Sequence, residues 1–282
     1  MNPDLTPTVT RLLGQSTRHT SCVDGATTIW HSWGHGKPLL LLHGGSGSWT
    51  HWLRNIGAMV DAGHHVIIPD IPGFGDSDVA STGGEDAPGV IQPIWSGYTS
   101  LFGTGPCQIM GFSFGAMVAV LMAVANPDLA QSLLLVAPPG LGLRSPVFPV
   151  QSWKHLQDWS DIAPIIRHNL SLQMLHRPES LDDETLRIHA HNLRRDRMKA
   201  RKISQTTIVL ESLPHLRCPV DAVYGRQDAF YLTGLSRLEG LLQSAPYFRE
   251  LAWMDDCGHW AAHEDAPQFN AIATRMLLTS RY

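Results

Sequence analysis

The sequence predicts an α/β protein with a mostly parallel central sheet flanked by helices. The first reason is a set of short, almost continuous apolar runs that end in Gly, Pro or His, as expected of strands buried on both faces. The second is that helical segments alternate with these runs. The third is composition: 43% of the 282 residues are apolar and only 16% are charged, which supports a sizeable core.

Each predicted strand is an apolar stretch that ends at a turn-forming residue. The leucine-rich run Pro38–Gly45 is the clearest example. Near the start of the chain, the segment ATTIWHSWG (26–34) predicts antiparallel edge strands. The other predicted strands are His64–Gly73, Cys107–Ser113, Ser132–Gly140, Pro219–Gly225 and the run YFRELAWM that ends at Met254.

Helices are predicted between these strands at Thr50–Ala62, Ala116–Asn126 and Pro267–Leu278. In the last of them, Phe269, Ile272, Ala273, Met276 and Leu277 recur at helical spacing and define one apolar face. The pattern therefore places a helix after each of several strands, as a parallel sheet requires.

One segment interrupts the alternation. From about Leu141 to Leu213 the sequence shows no clear strand, but it holds helical patches and is too long for a plain loop. We therefore predict a core domain formed by 1–141 and 214–282, with a helical cap at 142–213. Because ligands of open parallel sheets bind at the carboxyl ends of the strands, a cap inserted there would cover the site.

Charge and cysteine content exclude several classes of protein. The net charge is −4, which argues against nucleic acid as a partner, and the cluster Arg194–Lys202 is interpreted as a solvated helix face. The N-terminus lacks the pattern of a signal peptide, and the longest apolar stretch is too short to span a bilayer. We expect a cytoplasmic protein without a membrane partner. Its cysteines are expected to be reduced: Cys22, Cys107, Cys218 and Cys257.

A serine at the end of a predicted strand has the surroundings of a nucleophile. The residues Gly111-Phe112-Ser113-Phe114-Gly115 fit the pattern G-x-S-x-G, with an apolar strand before and an apolar helix after. The glycines allow a sharp turn, and the helix that follows points its first amides at developing negative charge. The sequence therefore predicts Ser113 as a catalytic nucleophile.

A serine hydroxyl needs a base and a group that orients the base. The acid and the histidine are expected after the serine in that order, at the carboxyl ends of later strands. Asp228 follows one such strand and His259 follows the next. Asp255 and Asp256, close to His259, are the alternatives for the acid, and the chain has 15 histidines in all.

The oxyanion of an acyl-transfer intermediate needs two backbone donors. One is predicted to be the amide of Phe114, directly after the nucleophile. The other is predicted to be Gly45, in the glycine-rich loop after the first leucine-rich strand, because glycine allows close approach of a substrate oxygen. His43 is interpreted as a structural hydrogen-bonding residue of that loop. The acidic loop at Asp70, Asp76 and Asp78 lacks His or Cys at metal-ligand spacing, so no metal is expected.

These motifs resemble the α/β-hydrolase family over nearly the whole chain: LLLLHGG, IPDIPGFGDSD, GFSFG, YGRQD and CGHW occur in the family's order. The segments RNIGAMVDAGHHVIIPDIPGFGDSD and CGHWAAHEDAPQFNAI are similar to the meta-cleavage-product hydrolases, which cleave a carbon–carbon bond in ring-opened aromatic compounds. The resemblance implies a triad of Ser113, His259 and Asp228, no cofactor, a small-molecule substrate and a homodimer.

The resemblance also implies substrate contacts. Trp260 follows the histidine directly, and a cap arginine would bind the acid end of the substrate. Arg187, Arg194, Arg195 and Arg197 all lie in the expected range, and Arg194 is taken as the candidate. Together with the loop and the elbow, the candidate substrate contacts are Ser46, Phe112, Trp260 and Arg194.

The chain departs from those relatives at the elbow, where Gly-Asn-Ser-Met-Gly is usual and Phe112 and Phe114 stand here. An apolar pocket mouth of Phe112, Phe114 and Trp260 suits a hydrophobic ester or ketone. The leading hypothesis is therefore a serine hydrolase of an ester-type bond in an apolar carbonyl compound. The alternatives are a carbon–carbon bond hydrolase and, in another class, a non-catalytic ligand-binding member of the fold.

Overall fold

A central sheet organises the part of the chain that the computed structural model describes, residues 6–81, 86–143, 146–198 and 202–279. In those residues the sheet has eight strands in the order β1-β2-β4-β3-β5-β6-β7-β8. The pairs β1–β2 and β2–β4 are antiparallel, and the remaining pairs are parallel. The strands are β1 (Thr17–Val23), β2 (Ala26–Trp33), β3 (Lys37–Leu42), β4 (His64–Pro69), β5 (Cys107–Phe112), β6 (Ala130–Val136), β7 (Val220–Gly225) and β8 (Phe248–Met254).

Ten α-helices are defined in the described residues. They connect the parallel strands or cover the sheet, as right-handed crossovers require. They are α1 (Pro7–Gln15), α2 (Ile56–Asp61), α3 (Ala87–Phe102), α4 (Phe114–Ala125), α5 (Trp159–Gln173), α6 (Asp183–Arg194), α7 (Ile208–Ser212), α8 (Leu235–Leu242), α9 (Ala261–Glu264) and α10 (Ala266–Leu278). None of the helices in the described ranges is long and apolar enough to cross a bilayer.

Strand β3 shows how the sheet joins two apolar layers. Leu40 and Leu42 enter the cluster formed with α3 and α4, whereas Leu39 and Leu41 enter the cluster formed with α1, α2 and α10. All four side chains are inaccessible to solvent. Each buried leucine stabilises the fold by about 1.5–3 kcal/mol, so the two-sided burial that the continuous apolar run predicts anchors the middle of the sheet.

The structure changes several predicted elements. The predicted helix Thr50–Ala62 is a 3₁₀ turn, Trp49–Trp52, followed by the short helix α2. The 3₁₀ turn begins at Trp49, one residue before the predicted helix, and the backbone N–H of Trp49 donates to the buried carboxylate of Asp70 at 2.8 Å. Strand β1 and helix α3 have no counterpart among the predicted elements.

The segment between β6 and β7, where the sequence predicts a helical cap, contains α5, α6 and α7. Ile162 and Ile166 of α5 and Leu186 of α6 join the apolar cluster on the α1, α2 and α10 side of the sheet. Asn192 of α6 exchanges hydrogen bonds of 2.9 Å with Ser48 and Thr50 of the core. The inserted helices therefore pack directly on the core, and the boundaries 142 and 213 stay a prediction.

Gly115 provides a test of the close contact between α4 and β3. A Cβ at this position would lie 2.3 Å from the carbonyl oxygen of Leu42, so Gly115→Ala should lower the free energy of unfolding by about 3 kcal/mol. Gly14→Ala is the control, because nothing lies within 4 Å of a Cβ there. Thermal unfolding of the two variants measures the difference, and equal unfolding temperatures would contradict the predicted contact.

Candidate active site

Ser113 occupies the sharp turn between β5 and α4. Its backbone has φ 50° and ψ −117°, a conformation that an L-residue adopts only under constraint, at about 1–3 kcal/mol. The constraint is visible in the packing: a Cβ on Gly111 would lie 2.5 Å from the Cα of Ala116. The N–H of Ser113 donates to the carbonyl oxygen of Val136 at 2.8 Å. The turn therefore holds the half-buried serine side chain at the carboxyl end of the sheet.

Ser113, His259 and Asp228 form a continuous hydrogen-bonded relay. His259 Nε2 lies 2.9 Å from Ser113 Oγ, and His259 Nδ1 lies 2.7 Å from Asp228 Oδ2. The carboxylate of Asp228 has no exposed surface, and His259 is 4% exposed. Since a carboxylate accepts, Nδ1 carries the proton that faces Asp228, and Nε2 is left to accept from the serine hydroxyl.

The loops after β7 and β8 hold the acid and the base against each other. Gly225 makes this close approach possible, because a Cβ there would lie 2.1 Å from the carbonyl oxygen of Cys257. The N–H of Gln227 donates to that same carbonyl at 2.9 Å. The second oxygen of Asp228 accepts the N–H of Phe230 at 3.0 Å. Both loops are thus fixed by backbone contacts.

The two alternative acids do not face the histidine. Asp255 is exposed and pairs with Arg226 at 2.7 Å, and Asp256 is exposed as well. Asp228 is the carboxylate that contacts His259.

The glycine-rich loop after β3 is held by two buried histidines. His43 donates from Nδ1 to the carbonyl oxygen of Gly44 at 2.8 Å, and its Nε2 accepts the N–H of Ile71 at 2.8 Å. The N–H of Gly44 donates to Nδ1 of His51 at 3.2 Å. These bonds give His43 the structural role predicted for it. Gly45 is half-exposed and directly follows Gly44, whose backbone these bonds hold in place. The roles of Gly45 and Phe114 as oxyanion donors stay predictions.

The predicted pocket mouth of three aromatic side chains is wrong. Trp260 has no exposed surface, because its ring stacks on His263 at 4.0 Å between centroids and its Nε1 donates to the carbonyl oxygen of His51. Phe112 is 1% exposed, because side chains alternate in direction along β5 and its ring points into the apolar layer beneath His259. Phe114 is 3% exposed. Substrate contacts predicted from Phe112 and Trp260 are therefore corrected: both side chains support the site from behind.

Ser46 and Arg194 have accessible surface; Ser46 contacts the inserted segment, and Arg194 belongs to it. The hydroxyl of Ser46 donates to Asp196 at 2.5 Å, which links the glycine-rich loop to the inserted segment. Arg194 is exposed at the end of α6, and its guanidinium lies over the ring of Trp153 at 5.4 Å. Their roles as substrate contacts stay predictions.

Sequence reasoning missed the aromatic residues that do face the histidine. The ring of Phe230 lies 4.5 Å from the ring of His259, measured between centroids, and Phe148 meets Phe230 at 5.0 Å edge to face. Val147 and Leu232 beside them are 98% and 54% exposed. The position of Phe230, two residues after the acid, was a usable signal, whereas Phe148 comes from the cap and had none.

Buried histidines crowd the seam between the core and the cap. Burial lowers the pKa of His43 and of His189 to about 4, and it lowers the pKa of His51 and of His263 well below the usual range. His51 accepts at Nδ1, so its proton is on Nε2, which has no hydrogen-bond partner in the described structure. These four buried histidines are therefore neutral at pH 7. Among the described residues, no group of three or more His, Cys, Asp or Glu is arranged to hold a metal ion.

The fold and this relay define the class of protein, and sequence comparison gives the family. The profile of the alpha/beta hydrolase family matches residues 39–272, so the chain belongs to that family and is a hydrolase. The curated relatives include 2-hydroxy-6-oxo-6-phenylhexa-2,4-dienoate hydrolase of Comamonas testosteroni, 27% identical over 86% of this chain and 88% of that protein. A 2-hydroxy-6-oxononadienedioate/2-hydroxy-6-oxononatrienedioate hydrolase of Paraburkholderia phymatum is 27% identical over 95% of this chain and 98% of that protein.

Solved structures agree on the fold. A meta-cleavage product hydrolase from Pseudomonas fluorescens superimposes with a TM-score of 0.74 at 20% identity, over 93% of this chain and 98% of that chain. A putative aryl esterase from Burkholderia cenocepacia superimposes with a TM-score of 0.76 at 19% identity, over 94% and 99%. At these identities the structures establish the architecture, while the bond that is cleaved has to be argued from the site.

The relay predicts distinct effects of two nearby aspartates. Asp228→Asn should lower turnover by about 10³–10⁴-fold, because the amide favours the wrong histidine tautomer. Asp255→Asn is the matched control and should stay within about twofold of wild type, since Asp255 pairs only with an exposed arginine. The rate of Ser113 labelling by a fluorophosphonate probe measures both, with Ser113→Ala as the unlabelled reference. Equal rates in the two variants would contradict the assignment of the acid.

The buried histidines predict a loss of stability in mild acid. A histidine with a pKa of about 4 in the folded state and 6.5 in the unfolded state favours unfolding as the pH falls from 6.5 to 4, because the unfolded chain then binds more protons. Each such histidine contributes up to about 3 kcal/mol over that window. Urea unfolding from pH 7 to 4.5 measures the slope, which His189→Phe should reduce by about one proton. A free energy of unfolding that is independent of pH in this range would contradict the burial argument.

Proposed function

We propose that this hydrolase is a serine hydrolase that cleaves an ester-type bond in a small or medium, uncharged and apolar carbonyl compound. The observation that carries the proposal is the relay itself: a strained serine, a histidine at 2.9 Å and a buried aspartate at 2.7 Å from the histidine. The order of these groups and their spacing are those required to activate a hydroxyl nucleophile.

The first half of the reaction would form an acyl-enzyme. Ser113 Oγ attacks the carbonyl carbon while His259 Nε2 takes the hydroxyl proton, and Asp228 stabilises the imidazolium that forms. The negative charge on the carbonyl oxygen would be stabilised by hydrogen bonds that the backbone amides of Gly45 and Phe114 donate to it. When the tetrahedral intermediate collapses, the ester C–O bond breaks and His259 returns the proton to the leaving alcohol.

The second half would release the acid. A water molecule loses its proton to His259 and attacks the acyl carbon, and collapse of this intermediate breaks the bond to Ser113 Oγ and reprotonates the serine. All of the proton transfers pass through one nitrogen of His259. The hydrogen bond from Nδ1 to Asp228 keeps that nitrogen directed at the serine throughout.

The surroundings of His259 support an uncharged, apolar substrate. Phe230 packs on the histidine ring and Phe148 packs on Phe230, and the nearby positions Val147 and Leu232 in the sequence are exposed apolar residues. The cap arginines have partners of their own: Arg187 pairs with Asp183, Arg195 with Asp76, Arg197 with carbonyls of the 74–77 loop and Arg194 with Trp153. The buried histidines nearby are neutral, so they offer no positive charge to an acid group.

A carbon–carbon bond hydrolase is the second candidate, and the curated relatives favour it. Two of them, each 27% identical to this chain, carry names of dienoate hydrolases. The same serine, histidine and aspartate would serve that reaction. Such a substrate carries a carboxylate, which would need a cationic partner, and in the described residues Arg187 and Arg195 are each paired with an aspartate.

The preference for an uncharged acyl group can be measured with two matched esters, and the preferred bond with a dienoate beside them. We expect p-nitrophenyl butyrate to be hydrolysed with a kcat/KM at least about tenfold above that of the p-nitrophenyl monoester of succinate, because burying an unpaired carboxylate costs more than 1.4 kcal/mol. A yellow 6-phenyl dienoate, followed by loss of its absorbance, tests the second candidate in parallel. Ser113→Ala is the control in every assay.

Each outcome selects one function. Turnover of the dienoate without turnover of the esters would overturn the ester proposal in favour of the carbon–carbon bond. A wild-type protein that binds these compounds but is neither labelled by a fluorophosphonate nor active on any of them would be a ligand-binding member of the family.

A further inference from the structure

Glu264 lies at the seam between the cap and the loop that carries His259. It ends helix α9, five residues after the histidine, and is 6% exposed. Its Oε2 accepts the N–H of Gly258 at 2.5 Å, and its Oε1 accepts the N–H of Arg177 from the inserted segment. One carboxylate therefore joins the residue directly before His259 to the backbone of Arg177, which is 87 residues from Glu264 in the chain.

The two chain segments joined by Glu264 also touch each other directly. The N–H of Trp260 donates to the carbonyl oxygen of Met174 at 2.9 Å. A Cβ on Gly258 would lie 2.9 Å from that same carbonyl oxygen, so no side chain could fit between the segments. Any displacement of residues 174–177 would therefore act on the backbone on both sides of His259.

The carboxylate requires both segments in place. Burial raises the pKa of Glu264, and the backbone N–H groups of Arg177, Gly258 and His176 oppose that rise by donating to the carboxylate. A buried charge is stable only when such donors replace its hydration. If the segment 174–177 moved away, the carboxylate would lose its donors from residues 176 and 177, and the N–H of Gly258 alone would not replace its hydration.

We propose that Glu264 is a positioning residue that couples the docking of the cap to the placement of His259. It touches no reacting atom and acts through the backbone of Gly258, which precedes the histidine. When the segment 174–177 is docked, the imidazole is held at 2.9 Å from Ser113 Oγ. This inference rests on the proposed serine hydrolase chemistry and adds the means by which the cap controls it.

Arg177 offers a test that removes a single hydrogen bond. Its backbone φ of −80° suits proline, which lacks the N–H that Glu264 accepts. Arg177→Ala removes the same guanidinium, with its contacts to Asp265 at 3.1 Å and to the carbonyl oxygen of Asp256 at 3.0 Å, and retains the N–H. The comparison of Arg177→Pro with Arg177→Ala therefore isolates the bond to Glu264.

The readout is the labelling of Ser113 by a fluorophosphonate, measured as a rate and as the final labelled fraction. We expect the rate at saturating probe to be about tenfold lower in Arg177→Pro than in Arg177→Ala, with the concentration for half-saturation unchanged and the labelled fraction equal. The reason is that every folded molecule has the serine but fewer have the histidine in place. Glu264→Gln, which loses one acceptor oxygen and sets an NH₂ against a backbone donor, should lower the rate in the same way.

Three results would overturn the proposal in ways that differ. Equal labelling rates in Arg177→Pro and Arg177→Ala, with wild type labelled, would remove the coupling and leave the serine hydrolase function standing. A lower labelled fraction at an unchanged rate would assign the bond to folding alone. A wild type that is not labelled would overturn the proposed function together with this inference.

Discussion

The contact between helix α4 and strand β3 is the constraint on which the site depends. Gly115 presents no side chain there, and a Cβ would lie 2.3 Å from the carbonyl oxygen of Leu42 and 2.5 Å from that of His43. This approach sets the first turn of α4 beside the loop that begins at His43. The strained turn at Ser113 follows, because the chain must reverse from β5 into a helix that is already pressed onto the neighbouring strand. Nucleophile and glycine-rich loop are thus positioned by one backbone contact.

The strands in the middle of the sheet were predictable because they are buried on both faces and therefore read as continuous apolar runs. Strand β1 was not, since it lies at the edge and most of its residues are polar and exposed. Helix α3 was hidden by Pro93 and Gly97 within it. Gly97 is needed by the packing: a Cβ there would lie 2.5 Å from Ser21 Oγ on β1, which pattern alone does not reveal.

At the site, too, some features were predictable from the sequence and others were not. The relay was predictable because its members follow strands β5, β7 and β8 directly, and parallel strands bring those ends to one edge. The aromatic side chains around the relay were not predictable, since their directions depend on how the inserted segment packs. Phe148 reaches the site from the cap, and Trp260 turns away from it into a stack with His263. Neither direction follows from position in the chain.

The hydrogen-bonded relay and the aromatic side chains around it therefore form two separate parts of the site. Phe112 and Phe230 pack on the ring of His259 at 5.2 and 4.5 Å between centroids, and this apolar packing strengthens the interaction of the imidazole with Asp228. The same apolar packing makes it costly to bury an unpaired charge beside the histidine. The glycine-rich loop and the histidine loop are both bonded to the inserted segment, through Ser46 and Glu264, so that segment contacts two of the loops that surround the relay.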